Sequence, residues 1–176
     1  MTYQVGDTVV KPGLGICKIK AIRKMQVEGI DQSFYVLQSG EVKVMVPFDH
    51  AHAGGLRPLL DAEGVKQILQ RLREPLPRGE GENEKAGNYS LEIEKTKEEL
   101  KHRDPAVMAG IVKTLFYKSK LFDLAKAEAE IYQTALQALA DEIAHVEHTT
   151  RLKAANQIKN TLTEARKAQK ESLKQN

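Results

Sequence analysis

The chain of 176 residues contains no tryptophan, and aromatic residues make up only 5% of it. Its single cysteine, Cys17, excludes an intrachain disulfide framework and is compatible with the reducing cytosol. We expect this thiol to be buried as a small apolar group rather than to be reactive. With so few aromatic side chains, the cores must consist mainly of aliphatic residues.

Long apolar segments are missing as well. No run approaches the roughly 20 residues that a membrane-spanning helix requires, and the N-terminus lacks the basic region and apolar run of a signal peptide. A hydrophobic content of 41% is nevertheless sufficient for packed cores. We therefore expect a soluble, cytoplasmic protein with no membrane partner.

The motifs that could support catalysis or metal binding are incomplete. Glu142 and His145 have the spacing of half a di-iron site in a helical bundle, but no second such pair occurs. The Asp-His-Ala-His segment at 49–52 has no further ligand at a recognisable spacing, and the turn at 11–15 lacks the spacing of a phosphate loop. We expect no enzyme activity, no metal and no cofactor, so function must depend on surfaces.

Charge is distributed unevenly along the chain. The net charge of +3 comes from 27 basic and 24 acidic residues. From Thr149 onward, seven basic residues stand against two acidic ones, so this segment carries +5 and the rest carries −2. A second basic excess lies between Lys95 and Lys120. This asymmetry permits contact with a polyanion, although a solvated mixed-charge helix surface is the commoner explanation.

Residues 3–58 show the pattern of short β-strands. Runs at 7–10, 16–23 and 34–37 are separated by the turns at 11–15 and 28–29. Together with a further run after residue 40, they predict a small antiparallel sheet or open barrel with local connections.

The segment 32–57 reads as a β-hairpin around a Ser39-Gly40 turn. In its second strand three valines alternate with other residues, which sends the valines to a covered face and leaves Lys43 and Met45 on the outer one. The valines are Val42, Val44 and Val46.

The remaining sequence predicts helices. Asp61 is the expected N-cap of an amphipathic helix that ends near Arg73. Asp104 and Pro105 mark the start of a later helix. A longer helix is expected to begin at or near Asp123, and the last is expected to be capped by Thr149 or Thr150.

These elements predict an α+β fold in which a small antiparallel β-domain precedes a C-terminal all-α bundle. The segment 75–88, rich in proline, glycine and charge, is predicted to be a linker. We expect a β-domain with one closing helix at 1–74 and a helical domain at 89–176.

Two surfaces could bind partners. An edge strand of the β-domain could be extended by a strand of another protein, with Met25, Lys43 and Met45 around the contact. The alternative is that the chain's own C-terminal half covers this edge.

The second surface centres on Tyr89 and the basic residues that follow it. Lysine and arginine meet phosphates, and an exposed aromatic ring can stack on or wedge between bases. Alternatively, Tyr89 packs the linker onto the bundle, and Glu92 and Glu94 lie one turn away with the opposite sign.

Three blocks of the sequence resemble the CarD/CdnL family of bacterial RNA polymerase-binding transcription regulators, whose N-terminal domain also occurs in transcription-repair coupling factors. They are residues 5–10 with Pro12 and Gly15, residues 34–37, and residues 44–47 with 55–57. The resemblance implies a Tudor-like β-domain that binds the β subunit of RNA polymerase. It also implies a helical domain that contacts promoter DNA at the upstream edge of the opening bubble and stabilises the open complex.

Several positions depart from the family pattern. Where members usually carry a tryptophan that wedges into the minor groove, this chain has Tyr89, followed by Leu91 and Glu92 instead of basic residues. Met25 corresponds to an arginine that some members use against polymerase. Positions where basic residues are common in the third helix hold Ala129 and Glu130.

We therefore predict a monomeric, non-enzymatic transcription regulator without a small-molecule substrate. The predicted contacts to RNA polymerase are Met25, Lys43 and Met45. The predicted contacts to promoter DNA are Tyr89, Lys95, Lys97, Lys101 and Arg103. The alternative is a protein-only adaptor on polymerase whose helical half never contacts DNA.

Overall fold

The computed structural model describes residues 2–75 and 93–174. The chain forms two compact units, Met1–Leu59 and Leu60–Asn176. The first is a β-sheet unit and the second is helical, which confirms the predicted α+β class. Tyr89 and all of the predicted linker except Pro75 lie outside the described residues.

The first unit is an antiparallel sheet of five strands in the order β4-β3-β2-β1-β5. The strands are β1 (Thr8–Lys11), β2 (Gly15–Val27), β3 (Ile30–Ser39), β4 (Val42–Pro47) and β5 (Arg57–Pro58). Between β4 and β5 the chain makes a short helix α1 (Phe48–His50) and a π-helical turn (Ala51–Gly55).

Tight two-residue turns close the two main hairpins. Glu28 and Gly29, between β2 and β3, have φ angles of 52° and 82°, as a type I′ turn requires. Gly40, which opens the turn between β3 and β4, has a φ of 58°. Both turns lie where the sequence predicted them.

The pairing of β2 with β3 contains a bulge at Lys20. Ile19 pairs with Leu37 and Ala21 pairs with Val36, so Lys20 is an extra residue with no partner in that ladder. A bulge shifts by one residue which side chains of a strand face the core. As a result, Ile19 and Ile22 lie on the core face, whereas Ala21 lies on the outer face.

The core of the sheet unit lies on one face. Cys17 is buried there as expected, and the ring of Tyr35 stacks on Phe48 with 4.0 Å between centroids. The expectation that all three β4 valines would be covered is wrong for Val42, which is 50% exposed. It borders the turn, beyond the end of the core that buries Val46.

The helical unit contains α2 (Ala62–Arg73), α3 (Ile93–His102), α4 (Pro105–Lys118), α5 (Lys126–Val146) and α6 (Arg151–Lys174). Three predicted caps are present. The Asp61 carboxylate accepts a hydrogen bond from the Gly64 N–H at 2.7 Å, and the Thr150 hydroxyl accepts one from the Lys153 N–H at 3.2 Å. Asp104 accepts bonds from two N–H groups in the first turn of α4.

The helix α5 begins later than the sequence predicted. It starts at Lys126, three residues after Asp123. The N-cap residue is Ala125, whose methyl group cannot accept a hydrogen bond. The carboxylate of Glu128 instead reaches back and accepts a hydrogen bond from the Ala125 N–H at 3.1 Å.

The helices α2, α4, α5 and α6 share one aliphatic core. From α2 it takes Val65, Ile68, Leu69 and Leu72. This placement differs from the domain boundaries that we expected, because α2 packs with the helical unit rather than closing the β-domain. Its apolar stripe matches the aliphatic faces of α4 and α6.

Candidate interaction surfaces

The strand β4 lies at one edge of the sheet and, within the described residues, pairs only with β3. In an antiparallel pair, residues that exchange hydrogen bonds alternate with residues whose N–H and C=O groups point away. Ser39 and Val42 close a two-residue turn and are a hydrogen-bonded pair. The backbone groups of Lys43 and Met45 therefore point to the free edge.

The three residues predicted to contact polymerase share the outer face of the sheet. Met45 is opposite Val36, which is opposite Ala21, and directly opposed residues lie on one face. Met25 follows Ala21 on the same face of β2, because residues two or four apart in a strand point the same way. Met25 and Met45 are 46% and 39% exposed. The structure thus brings Met25, Lys43 and Met45 together on one exposed surface.

A shallow groove of about 620 Å³ crosses this outer face. It is lined by Lys20, Ala21, Arg23, Val36, Gln38, Lys43 and Met45. Its charged residues are all cationic, so an acidic partner would be favoured. Neither Lys20 nor Arg23 was singled out from the sequence. A period of two counted from the buried Cys17 and Ile19 places Lys20 on the outer face, whereas Arg23 lies on that face only because of the bulge.

The outer face continues to the tip of the β2–β3 hairpin, past the end of β4. Val27 pairs with Ile30 there, and the two side chains are 40% and 68% exposed. A pair of exposed apolar side chains at a hairpin tip can contribute to a protein-binding site. Neither residue could be found from the sequence, since alternation alone cannot show that β4 stops before the tip.

The helix α3 carries three of the residues predicted to contact DNA. Thr96 is its buried residue, and Lys95, Lys97 and Lys101 all lie on exposed faces. Arg103 follows the helix, is half-buried and has a φ of 53°. Tyr89 lies outside the described residues, so its predicted role stays a prediction.

Acidic neighbours on α3 neutralise much of the positive charge of its lysines. Lys97 forms an ion pair with Glu94 at 3.2 Å, and Lys101 forms one with Glu98. The hydrogen bond and charge of Lys101 lower the pKa of Glu98. Such exposed pairs are weak, so a phosphate group could displace the carboxylates. The helix nevertheless presents a nearly balanced surface.

The Glu-x-x-His pair on α5 does not converge on a common point. Glu142 is buried, whereas His145 is exposed. Over residues 2–75 and 93–174, no group of three or more histidine, cysteine, aspartate or glutamate side chains is placed to hold a metal ion. In the same residues, no helix has the length and apolar character needed to cross a membrane.

Comparison with protein families gives matches over both units. Residues 3–60 match the CarD-like/TRCF RID domain, and residues 72–159 match the C-terminal domain of CarD. The fold and these two matches define the class of the protein as an RNA polymerase-associated transcription factor with a β-sheet unit and a helical unit. More specifically, the chain belongs to the CarD-like family, which is a family of non-enzymatic transcription factors.

Proposed function

We propose that the sheet unit binds the β subunit of bacterial RNA polymerase by strand addition to β4. The outward-pointing backbone groups of Lys43 and Met45 support this, because an unpaired strand edge can form main-chain hydrogen bonds with a partner strand. The side chains of Met25, Lys43 and Met45 line the contact on the outer face. The two methionines are flexible and polarisable, which suits a contact with an uneven partner surface.

The helical unit approaches promoter DNA through Tyr89 and through the cations Lys95, Lys97, Lys101 and Arg103, and stabilises the open complex. Docking on polymerase raises the effective concentration of these residues near the promoter. Contacts that are weak in isolation then become sufficient. The protein needs no catalytic group for this role.

The near-neutral surface of α3 favours a second candidate function. In this alternative, the protein is an adaptor on polymerase whose helical unit contacts only protein. Salt distinguishes the two. Affinity for promoter DNA that falls steeply with ionic strength supports the DNA contact, whereas no DNA binding at low salt, alone or with polymerase, supports the adaptor.

Co-purification with RNA polymerase tests the sheet contact. We expect the unmodified chain to be retained, and we expect Met45→Glu to abolish retention, because it places an acid on the outer face. Val5→Glu is the matched control, since Val5 is an exposed residue on the β1 side of the sheet, separated from β4 by β2 and β3. Full retention of Met45→Glu would remove this face from the interface, and failure of the unmodified chain to bind would overturn the proposal.

A further inference from the structure

The helix α6 is buried on one side and basic on the other. Ala154, Ile158 and Leu162 are fully buried in the core. The opposite side exposes four lysines, Lys153, Lys159, Lys167 and Lys170. We refer to these four residues as the α6 basic face.

The α6 basic face also carries neutral groups that can form hydrogen bonds. Asn156 and Asn160 are exposed between the lysines. Asparagine amides contact the phosphates of nucleic acids together with lysine and arginine. Of the 24 residues of the helix, seven are basic and two are acidic, and the two acidic residues, Glu164 and Glu171, are also exposed.

The cations of this face differ from those of α3 in their pairing. In the part of the chain that the structure describes, none of the four lysines forms an ion pair with an acidic side chain. On α3, Lys97 and Lys101 are both paired with glutamates. Phosphate groups could therefore reach these four lysines without breaking an ion pair.

The length of the face suits an extended polyanion. Lys153 and Lys170 are 17 residues apart in sequence, which corresponds to about 25 Å along the helix axis. Duplex DNA carries about one negative charge per 1.7 Å of its axis, so several phosphates lie within that distance.

The same face suits a membrane or a protein less well. The apolar side of α6 is used in the core, so little apolar surface remains to enter a bilayer. Protein interfaces usually depend on a few buried aromatic or apolar anchors. The exposed Leu152, at the start of the helix, is a large apolar residue near this face, and the four lysines are otherwise separated by polar side chains.

We infer that the α6 basic face binds the phosphate backbone of duplex DNA without reading its bases. This inference rests on the proposed DNA contact of the helical unit and adds a second helix to it. Lys167 and Lys170 lie beyond residue 159, where the match to the CarD C-terminal domain ends. They are therefore features of this chain rather than of the matched segment.

Two variants with the same change in charge test the inference on the full chain. One replaces Lys153, Lys167 and Lys170 by glutamine, and the other replaces Lys95, Lys97 and Lys101. The measurement is the affinity for a duplex of arbitrary sequence, by fluorescence anisotropy, over a series of salt concentrations. Each lost phosphate contact should reduce the slope of log affinity against log salt by about 0.9. We expect the α6 variant to lower the slope by about 2 to 3 and the affinity at low salt at least tenfold.

A further variant separates charge from folding. Replacement of the same three α6 lysines by arginine keeps the charge, so it should retain the affinity of the unmodified chain. Loss of binding in this variant as well would overturn the inference, because charge alone would not explain the result.

The remaining outcomes separate the inference from the proposed function. If only the α3 variant loses affinity, the inference is wrong and the proposed α3 contact stands. If only the α6 variant does, the inference stands and the α3 residues are wrong. A chain that does not bind DNA even at low salt, either alone or with polymerase, or that binds anionic lipid vesicles instead, would overturn both.

Discussion

The ammonium group of Lys118, at the end of α4, lies 2.7 Å from a carboxylate oxygen of Glu128 in the first turn of α5. Both side chains are shielded, with 17% and 8% of their surface exposed. The second oxygen of Glu128 accepts the N–H of Ala125 at 3.1 Å. The pair thus fixes the connection between two core helices and also caps the second one.

Because this pair is buried, removing one partner should be costly. In Lys118→Met the carboxylate of Glu128 would remain buried without its cation, and we expect the free energy of unfolding to fall by about 3 kcal/mol. The double variant Lys118→Met, Glu128→Gln keeps an acceptor for the Ala125 N–H and has no buried charge, so it should recover much of this loss. Urea unfolding measures both. A double variant no more stable than the single one would contradict this account.

The hydroxyl of Tyr117 predicts a dependence of stability on alkaline pH. It is buried and, in the described part of the chain, has no hydrogen-bond partner. Burial raises the pKa of Tyr117, and the positive charge of Arg166 opposes this increase. Because the folded chain disfavours ionisation of the Tyr117 hydroxyl, the neutral form of this residue contributes to the free energy of unfolding. This contribution is fully present below the ordinary tyrosine pKa of about 10. It is lost as the pH rises from there through the folded-state pKa.

Replacement of Tyr117 by phenylalanine tests this prediction. The change removes an unsatisfied polar group, so the free energy of unfolding at neutral pH should stay within about 1 kcal/mol of that of the unmodified chain or increase. Between neutral pH and about pH 11 the variant should lose less stability than the unmodified chain, because one ionisation is gone. Equal losses in the two chains, measured by urea unfolding, would show that Tyr117 does not titrate with folding.

Glu28 occupies a backbone conformation that its side chain disfavours. Its φ of 52° lies at the first position of the type I′ turn between β2 and β3, where asparagine is preferred. We expect Glu28→Asn to increase the free energy of unfolding by about 0.5 to 1 kcal/mol. Glu28→Ala removes the same charge but keeps the strain, so it should give no comparable gain. Thermal unfolding of the two variants measures the difference, and equal stabilities would contradict the argument.

The features that could be predicted from sequence are those that a few neighbouring residues determine. The caps Asp61, Asp104 and Thr150 are such features, because each side chain bonds to its own first turn. The start of α5 was predicted less well, because the group that caps it is Glu128, inside the helix.

Other features depend on contacts between distant segments. The amphipathic pattern of α2 shows that one side of the helix is buried, but it cannot show which unit buries it. The exposure of Val42 and the outward position of Met25 likewise follow from where the core ends and where β2 has its bulge. Of the candidate surfaces, the shared face of Lys43 and Met45 was predictable from alternation. The pairing of Lys97 and Lys101 with glutamates was not.

A proline substitution in β4 can show whether polymerase binds by strand addition to the main chain or only through the side chains of this strand. The N–H of Met45 points to the free edge, so Met45→Pro removes a donor that a partner strand needs and leaves the ladder to β3 complete. We expect this variant to unfold within about 1 kcal/mol of the unmodified chain and to lose at least tenfold in affinity for RNA polymerase. The N–H of Val44 points to β3, so Val44→Pro removes a hydrogen bond of the ladder and should instead destabilise the sheet by about 1 to 3 kcal/mol.

The matched control is Met45→Leu, which keeps the N–H and an apolar side chain and should bind polymerase normally. Affinity is measured by titrating labelled chain with purified polymerase, and folding by urea unfolding. If Met45→Pro binds as tightly as Met45→Leu, the main chain of β4 is not used. In that case a loss in Met45→Glu would be due to the outer face alone, and the partner would lie across the sheet rather than extend it.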